Sequence, residues 1–149
     1  PDLDWTTFRP TEITFGSQAI AVTEQGGSFY THATIPDYRA GVNQTWWVDI
    51  TAVVDYESGA VTWTFTTLDP LTGEAPTDPL AGFLPPEDGS GRGQGHVSFS
   101  IYPRSDLAWG TQLTNQAAIT FDFEETIHTN VWTNQIGATN ILYMPVVLR

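Results

Sequence analysis

Val48-Asp49-Ile50-Thr51-Ala52-Val53-Val54-Asp55, followed after Glu57-Ser58-Gly59 by Val61-Thr62-Trp63-Thr64-Phe65-Thr66, is the stretch that decides the fold. In an extended chain Val48, Ile50, Ala52 and Val54 fall on one side and Asp49, Thr51, Val53 and Asp55 on the other. Val61, Trp63 and Phe65 then alternate with three threonines. A helix would scatter these residues around its circumference, whereas two strands joined by a glycine-containing turn gather them on one face. The stretch predicts a β-hairpin with one buried face and Trp63 in the core.

The same period of two recurs outward from this hairpin. Val97, Phe99 and Ile101 alternate with serines, and Ala117, Ile119, Phe121 and Phe123 with Ala118, Thr120 and Asp122, so each reads as a half-buried strand. Weaker strand candidates are Thr11–Phe15, Gln18–Thr23, Ser28–Ile35, Thr126–Ile136 and Ile141–Leu148. Helical periodicity is missing almost everywhere. Eight or nine short strands predict an all-β fold, a two-sheet antiparallel β-sandwich of immunoglobulin-like or jelly-roll kind. With 149 residues, 40% of them hydrophobic, the chain is one domain able to bury a core without disulfide staples. Residues 68–95 break the pattern, holding Pro70, Pro76, Pro79, Pro85, Pro86 and the run Gly89-Ser-Gly-Arg-Gly-Gln-Gly95. They predict one long Pro/Gly-rich loop, which in a compact domain is functional, metal-organised or disordered.

Seventeen acidic residues against five basic ones give a formal charge of -12, which repels nucleic acid and anionic lipid and favours cations. All five basic residues are arginines. The absence of lysine excludes Schiff-base chemistry, a P-loop and a lysine–asparagine isopeptide crosslink, and the absence of cysteine excludes disulfides and thioesters. No apolar run approaches the roughly 20 residues of a membrane span. Low charge density with abundant Thr, Trp and Pro suits a secreted protein, and the opening Pro1-Asp2 lacks a signal peptide, as in a mature or excised piece.

The long loop carries Asp69, Glu74, Asp78, Glu87 and Asp88, and Asp122-Phe-Glu-Glu125 closes a late strand. Calcium takes six to eight oxygen ligands from flexible loops, and an ion would explain how a Pro/Gly-rich loop becomes ordered. Asp69, Asp78, Asp88, Asp122 and Glu125 are therefore the expected calcium ligands, although no EF-hand spacing is present. His32, His96 and His128 are too dispersed for zinc, no G-x-S-x-G elbow is present, and no pair among so many acids stands out for glycoside hydrolysis. A catalytic site is not expected.

Trp46 and Trp47 are adjacent and must face opposite ways if extended, so one points outward. Trp132 is out of phase with Ile127 and Val131. Outward tryptophans serve either a sugar-stacking surface at Trp46, Trp47 and Trp132 or a subunit interface. Asn43-Gln-Thr45 matches a glycosylation triplet, a pattern frequent by chance. The most apolar segment is 140–149. There Ile141, Leu142, Met144, Val146 and Leu148 either pair within their own sandwich or, like the extended segment 1–10, add a strand to a neighbouring copy. Strand addition of that kind is head-to-tail and builds a filament.

Asp4-Trp5-Thr-Thr-Phe8-Arg9-Pro-Thr-Glu12-Ile13, the string Asp78–Phe99 and the string Gly110–Asn130 together resemble an immunoglobulin-like β-sandwich repeat domain of large bacterial extracellular and cell-surface proteins. Its frame N-x-A-x-I-x-F-D, then an acidic turn and T-N, falls on Asn115, Ala117, Ile119, Phe121, Asp122, Thr129 and Asn130. The resemblance implies a structural or adhesive module without enzymatic activity. The expectation is a non-enzymatic, secreted or cell-surface module, calcium-stabilised, whose partners are copies or neighbouring domains of the same protein. Carbohydrate binding through exposed tryptophan is the alternative.

Overall fold

In the computed structural model the described residues are 2–22, 28–122, 124–137 and, as backbone, 144–148. The decisive hairpin forms as expected. β4 (Thr45–Asp55) and β5 (Ala60–Leu68) pair antiparallel from Trp47↔Leu68 to Asp55↔Ala60. The Asp55 carboxylate accepts from the Glu57 and Ser58 amides and the Ser58 hydroxyl, and Gly59 adopts φ +73°, a left-handed conformation that favours glycine. β3 (Ser28–Pro36) flanks β4 on its other side, giving a sheet of order β3-β4-β5.

The opposing sheet has the order β11-β6-β1-β2, with β1 at Leu3–Phe15, β2 at Gln18–Ile20, β6 at Gly95–Pro103 and β11 at Met144–Leu148. The fold is thus an all-β sandwich of antiparallel sheets. β1 is one long strand although its sequence hides the fact. Its ladder with β6 slips between Asp4 and Arg9 and again between Pro10 and Glu12, and each bulge inverts the alternation. That is why the buried residues run Trp5, Phe8, Pro10, Ile13, Phe15. The first bulge is stitched by side chains: Thr7 Oγ1 accepts from the Tyr102 amide (2.9 Å), and Arg9 donates to the Thr6 and Phe8 carbonyls. Segment 1–10, expected as an arm for a neighbour, is from Leu3 onward a strand of its own sandwich. Met144, Val146 and Leu148 likewise lie on β11, paired in the same chain to Phe99, Val97 and Gly95. Ile141 and Leu142 lie outside the described residues.

The core joins Phe8, Ile13 and Phe15 of β1 and Val97, Phe99 and Ile101 of β6 to Phe29 and Ile35 of β3 and Trp46, Val48, Ile50, Ala52 and Val54 of β4. β5 is an edge, and its Val61, Trp63 and Phe65 are only partly buried. The loop 69–94 crosses from this edge to the other sheet and closes the gap. Phe83 stacks on Phe65 (5.5 Å, 17°) and meets Phe15 edge-on (5.3 Å). Aromatic anchoring of this kind, rather than strand pairing, holds the loop on the core.

Candidate interaction surfaces

Four acids of the loop and its approach have partners within the chain. Asp69 caps the Leu71 amide (2.8 Å). Asp78 caps Leu80 and receives Arg39, whose guanidinium also binds Asp37. Tyr38 donates to the Leu80 carbonyl (2.8 Å). Glu87 accepts from the amides of Gly89, Gly91 and Gly93 at 2.6, 2.9 and 3.0 Å, a nest of N–H groups that favours a carboxylate and, mainly through Gly91, holds its pKa below the usual carboxyl range. Gly93 is required there, because a Cβ would stand 2.7 Å from the Glu87 amide nitrogen and the Pro85 carbonyl oxygen. Asp88 pairs with Arg92 and Ser90.

The expected calcium ligands therefore do not converge. Asp69, Asp78 and Asp88 serve three separate local structures, and Asp122 and Glu125 lie at the tip of a hairpin between Ile119 and Ile127. Among the described residues no three or more His, Asp or Glu side chains form a group able to hold an ion. Within the chain the loop is held by Arg39, the glycine nest and Phe83. Excess chelator should accordingly leave the thermal midpoint within about 2 °C of its value in calcium, where an ion bound at a hundred times its Kd would contribute about 2.7 kcal/mol. Differential scanning calorimetry in the two buffers checks this.

The charged pivot of the loop, Asp37 with Arg39, has no signal in the sequence. Asp37 is buried, its side chain wholly out of solvent. It accepts from Arg39 Nε and Nη2, from the Arg39 amide and from the Trp46 indole (2.9 Å). Hydrogen bonding to Arg39 holds its carboxyl far below the ordinary range against the opposing effect of burial. Trp46, one of the expected sugar-stacking residues, is thereby corrected: at 3% exposure it is core. Trp47 is the member of the pair that faces outward. It stands edge-to-face against His32, ring centroids 4.9 Å apart.

Trp132 is 59% exposed, in a setting the alternation did not predict. β6 and β11 are neighbours, and the connection between them carries a hairpin of β7 (Gln112–Asn115), β8 (Ala118–Ile119), β9 (Ile127–His128) and β10 (Trp132–Gln135). Ile119 pairs with Ile127 and Asn115 with Trp132, so the second stave has one residue more than the first. At that bulge the Thr129 hydroxyl accepts from the Ala117 amide (3.0 Å), and the Gln116 side chain donates to the Thr129 carbonyl. At the tip Asp122 adopts φ 45°, which Asp tolerates better than most residues. Thr120 and Thr126 hydrogen-bond across it.

Ala117, Ile119 and Phe121 are partly buried and alternate with exposed Ala118, Thr120 and Asp122, as a half-buried strand requires, but their face does not reach the main core. Among the described residues of this hairpin only Leu113 is buried, and none joins the core cluster. Ile127, Val131 and Trp132 are 54, 56 and 59% exposed. Between Leu107 and Leu148 the only charged residues are Asp122, Glu124 and Glu125 at the tip, so the staves are neutral in a chain of charge -12. An open depression of about 560 Å³ lies elsewhere, at Leu3, Asp4, Trp5, Tyr56 and Arg104–Asp106. Its Arg104 is engaged by Asp106 (2.7 Å).

A family described as a domain of unknown function (DUF7619) matches residues 82–135, from the end of the loop through β6 to the last strand of the hairpin. No curated protein and no solved structure matches the chain.

Proposed function

We propose that the chain is a non-enzymatic structural or adhesive module of an extracellular surface, and that its β7–β10 hairpin is the element by which it docks on neighbouring copies or domains. The observation that carries this reading is the hairpin of uncharged staves left outside the core, with Ile127, Val131 and Trp132 exposed on it. Removal of charge from the staves lets two acidic bodies approach, and the acidic tip keeps the hairpin soluble while it is free. Residues 82–135, matched by one family, include this whole element. Docking through the hairpin replaces strand donation by segment 140–149 in the proposal, since β11 fills its place beside β6 in the same chain.

The double variant Ile127→Thr, Trp132→Ser alters two exposed positions and should fold normally. Light scattering of the unaltered chain should show its mean mass rising between about 1 and 100 µM, while the variant stays monomeric. Equal masses for both proteins at every concentration would remove the hairpin from the proposal.

A further inference from the structure

The outward face of β3, β4 and β5 carries groups that neither the core nor the hairpin uses. The register sets them in rows: Thr34, Trp47 and Leu68; His32, Asp49 and Thr66; Tyr30, Thr51 and Thr64. In the middle row His32 Nδ1 lies 2.6 Å from Asp49 Oδ1, and Tyr30 donates its hydroxyl to the same oxygen (3.2 Å). A carboxylate oxygen only accepts, so Nδ1 carries the proton and Nε2 is left as an acceptor when the ring is neutral. Among the described residues neither His32 Nε2 nor Asp49 Oδ2 has a hydrogen-bond partner.

A cross-strand His–Asp pair alone is ordinary sheet stabilisation. Here it stands between two aromatic side chains, Trp47 packed on His32 and Tyr30 half exposed, about 14 Å apart at the backbone by strand geometry. The rows contain no Arg or Lys, and the Asp49 carboxylate at their centre opposes an anion. A protein partner would want a patch centre depleted of charge, and this one has a carboxylate.

We infer that this face is a binding platform for a neutral polysaccharide, with Trp47 and Tyr30 as its aromatic contacts and Asp49, His32 and Thr66 as its polar ones. A sugar ring has C–H bonds suited to the electron-rich face of an aromatic ring and hydroxyls that both donate and accept. Asp49 Oδ2 and His32 Nε2 accept hydrogen bonds from sugar hydroxyls, and the threonine hydroxyls return the complementary bonds. The fixed positions of both acceptors mean that little side-chain freedom is lost on binding.

Native electrophoresis of the whole chain through gels containing laminarin, hydroxyethylcellulose or xyloglucan tests it, with polygalacturonate as the anionic control. Retardation is expected in at least one neutral gel and not in polygalacturonate. Trp47→Ala and Asp49→Asn should each weaken it roughly tenfold or more, as for central contacts of an interface. Thr66→Arg, at an exposed position remote from the core, should do the same in a protein of unchanged melting temperature. The hairpin variant Ile127→Thr, Trp132→Ser should be retarded like the unaltered chain, which separates this surface from the docking element. Unretarded migration in all three neutral gels, or retardation that survives Trp47→Ala and Thr66→Arg, would overturn the inference.

Discussion

Asp37→Ala should lower the stability of the fold by about 3 kcal/mol, toward the lower end of the loss on removing one partner of a buried ion pair. Three consequences combine. Arg39 loses its main partner, the Trp46 indole becomes a buried donor without an acceptor, and Arg39 grips Asp78 of the loop without Asp37 to brace it. Arg39 keeps about a quarter of its side chain in solvent, which limits the penalty on its charge. At this chain length the change corresponds to a fall of about 10 °C in the melting temperature. The pH dependence has a definite sign. Because the folded carboxyl is held below its unfolded value of about 3.9, its contribution is complete above that value and is lost as pH falls below about 4. Asp37→Asn should therefore show a shallower loss of stability than the unaltered chain between pH 5 and 2, measured by urea unfolding.

Phe8→Ala should cost about 4 kcal/mol, within the range for a large side chain removed from a packed core. Phe8 is fully buried and lies between the sheets, 5.3 Å from the Phe99 ring and 6.4 Å from that of Trp63. It reaches that position only because of the bulge after Asp4, so the cavity would open beneath a strand already interrupted in its ladder. Urea denaturation should show a lower midpoint with the slope retained. A loss below about 1 kcal/mol would mean that the first bulge is misplaced and that Phe8 is not central.

Alternation read the fold wherever strands are regular. Val48–Val54 and Val61–Phe65 are placed as the sequence suggests, and Val97–Ile101 is buried on the expected side. β1 escaped because its buried residues are three apart at two places, a spacing that no single period describes. In the hairpin of Ala117–Phe121 the alternation correctly marks an apolar face but is silent on what covers it. For Trp46 and Trp47 the parity rule requires opposite faces, and Trp46, two residues before Val48, continues the buried face of β4. The acids misled for another reason. Composition reveals a surplus of carboxylates, whereas Asp78 and Glu87 are occupied by an arginine 39 residues away and by three glycine amides. Asp37-Tyr-Arg39 has no signature of burial in one dimension, since it becomes buried only when Trp46 folds over it.

The docking role of the hairpin is tested most directly by hydrogen exchange of the unaltered chain, followed by mass spectrometry at dilute and at concentrated protein. Peptides within residues 111–136 should exchange more slowly in the concentrated sample, while those of β3, β4 and β5 exchange alike in both. Slowing confined to the β3–β5 face, or identical exchange everywhere while the mean mass rises, would contradict it and place the association surface elsewhere.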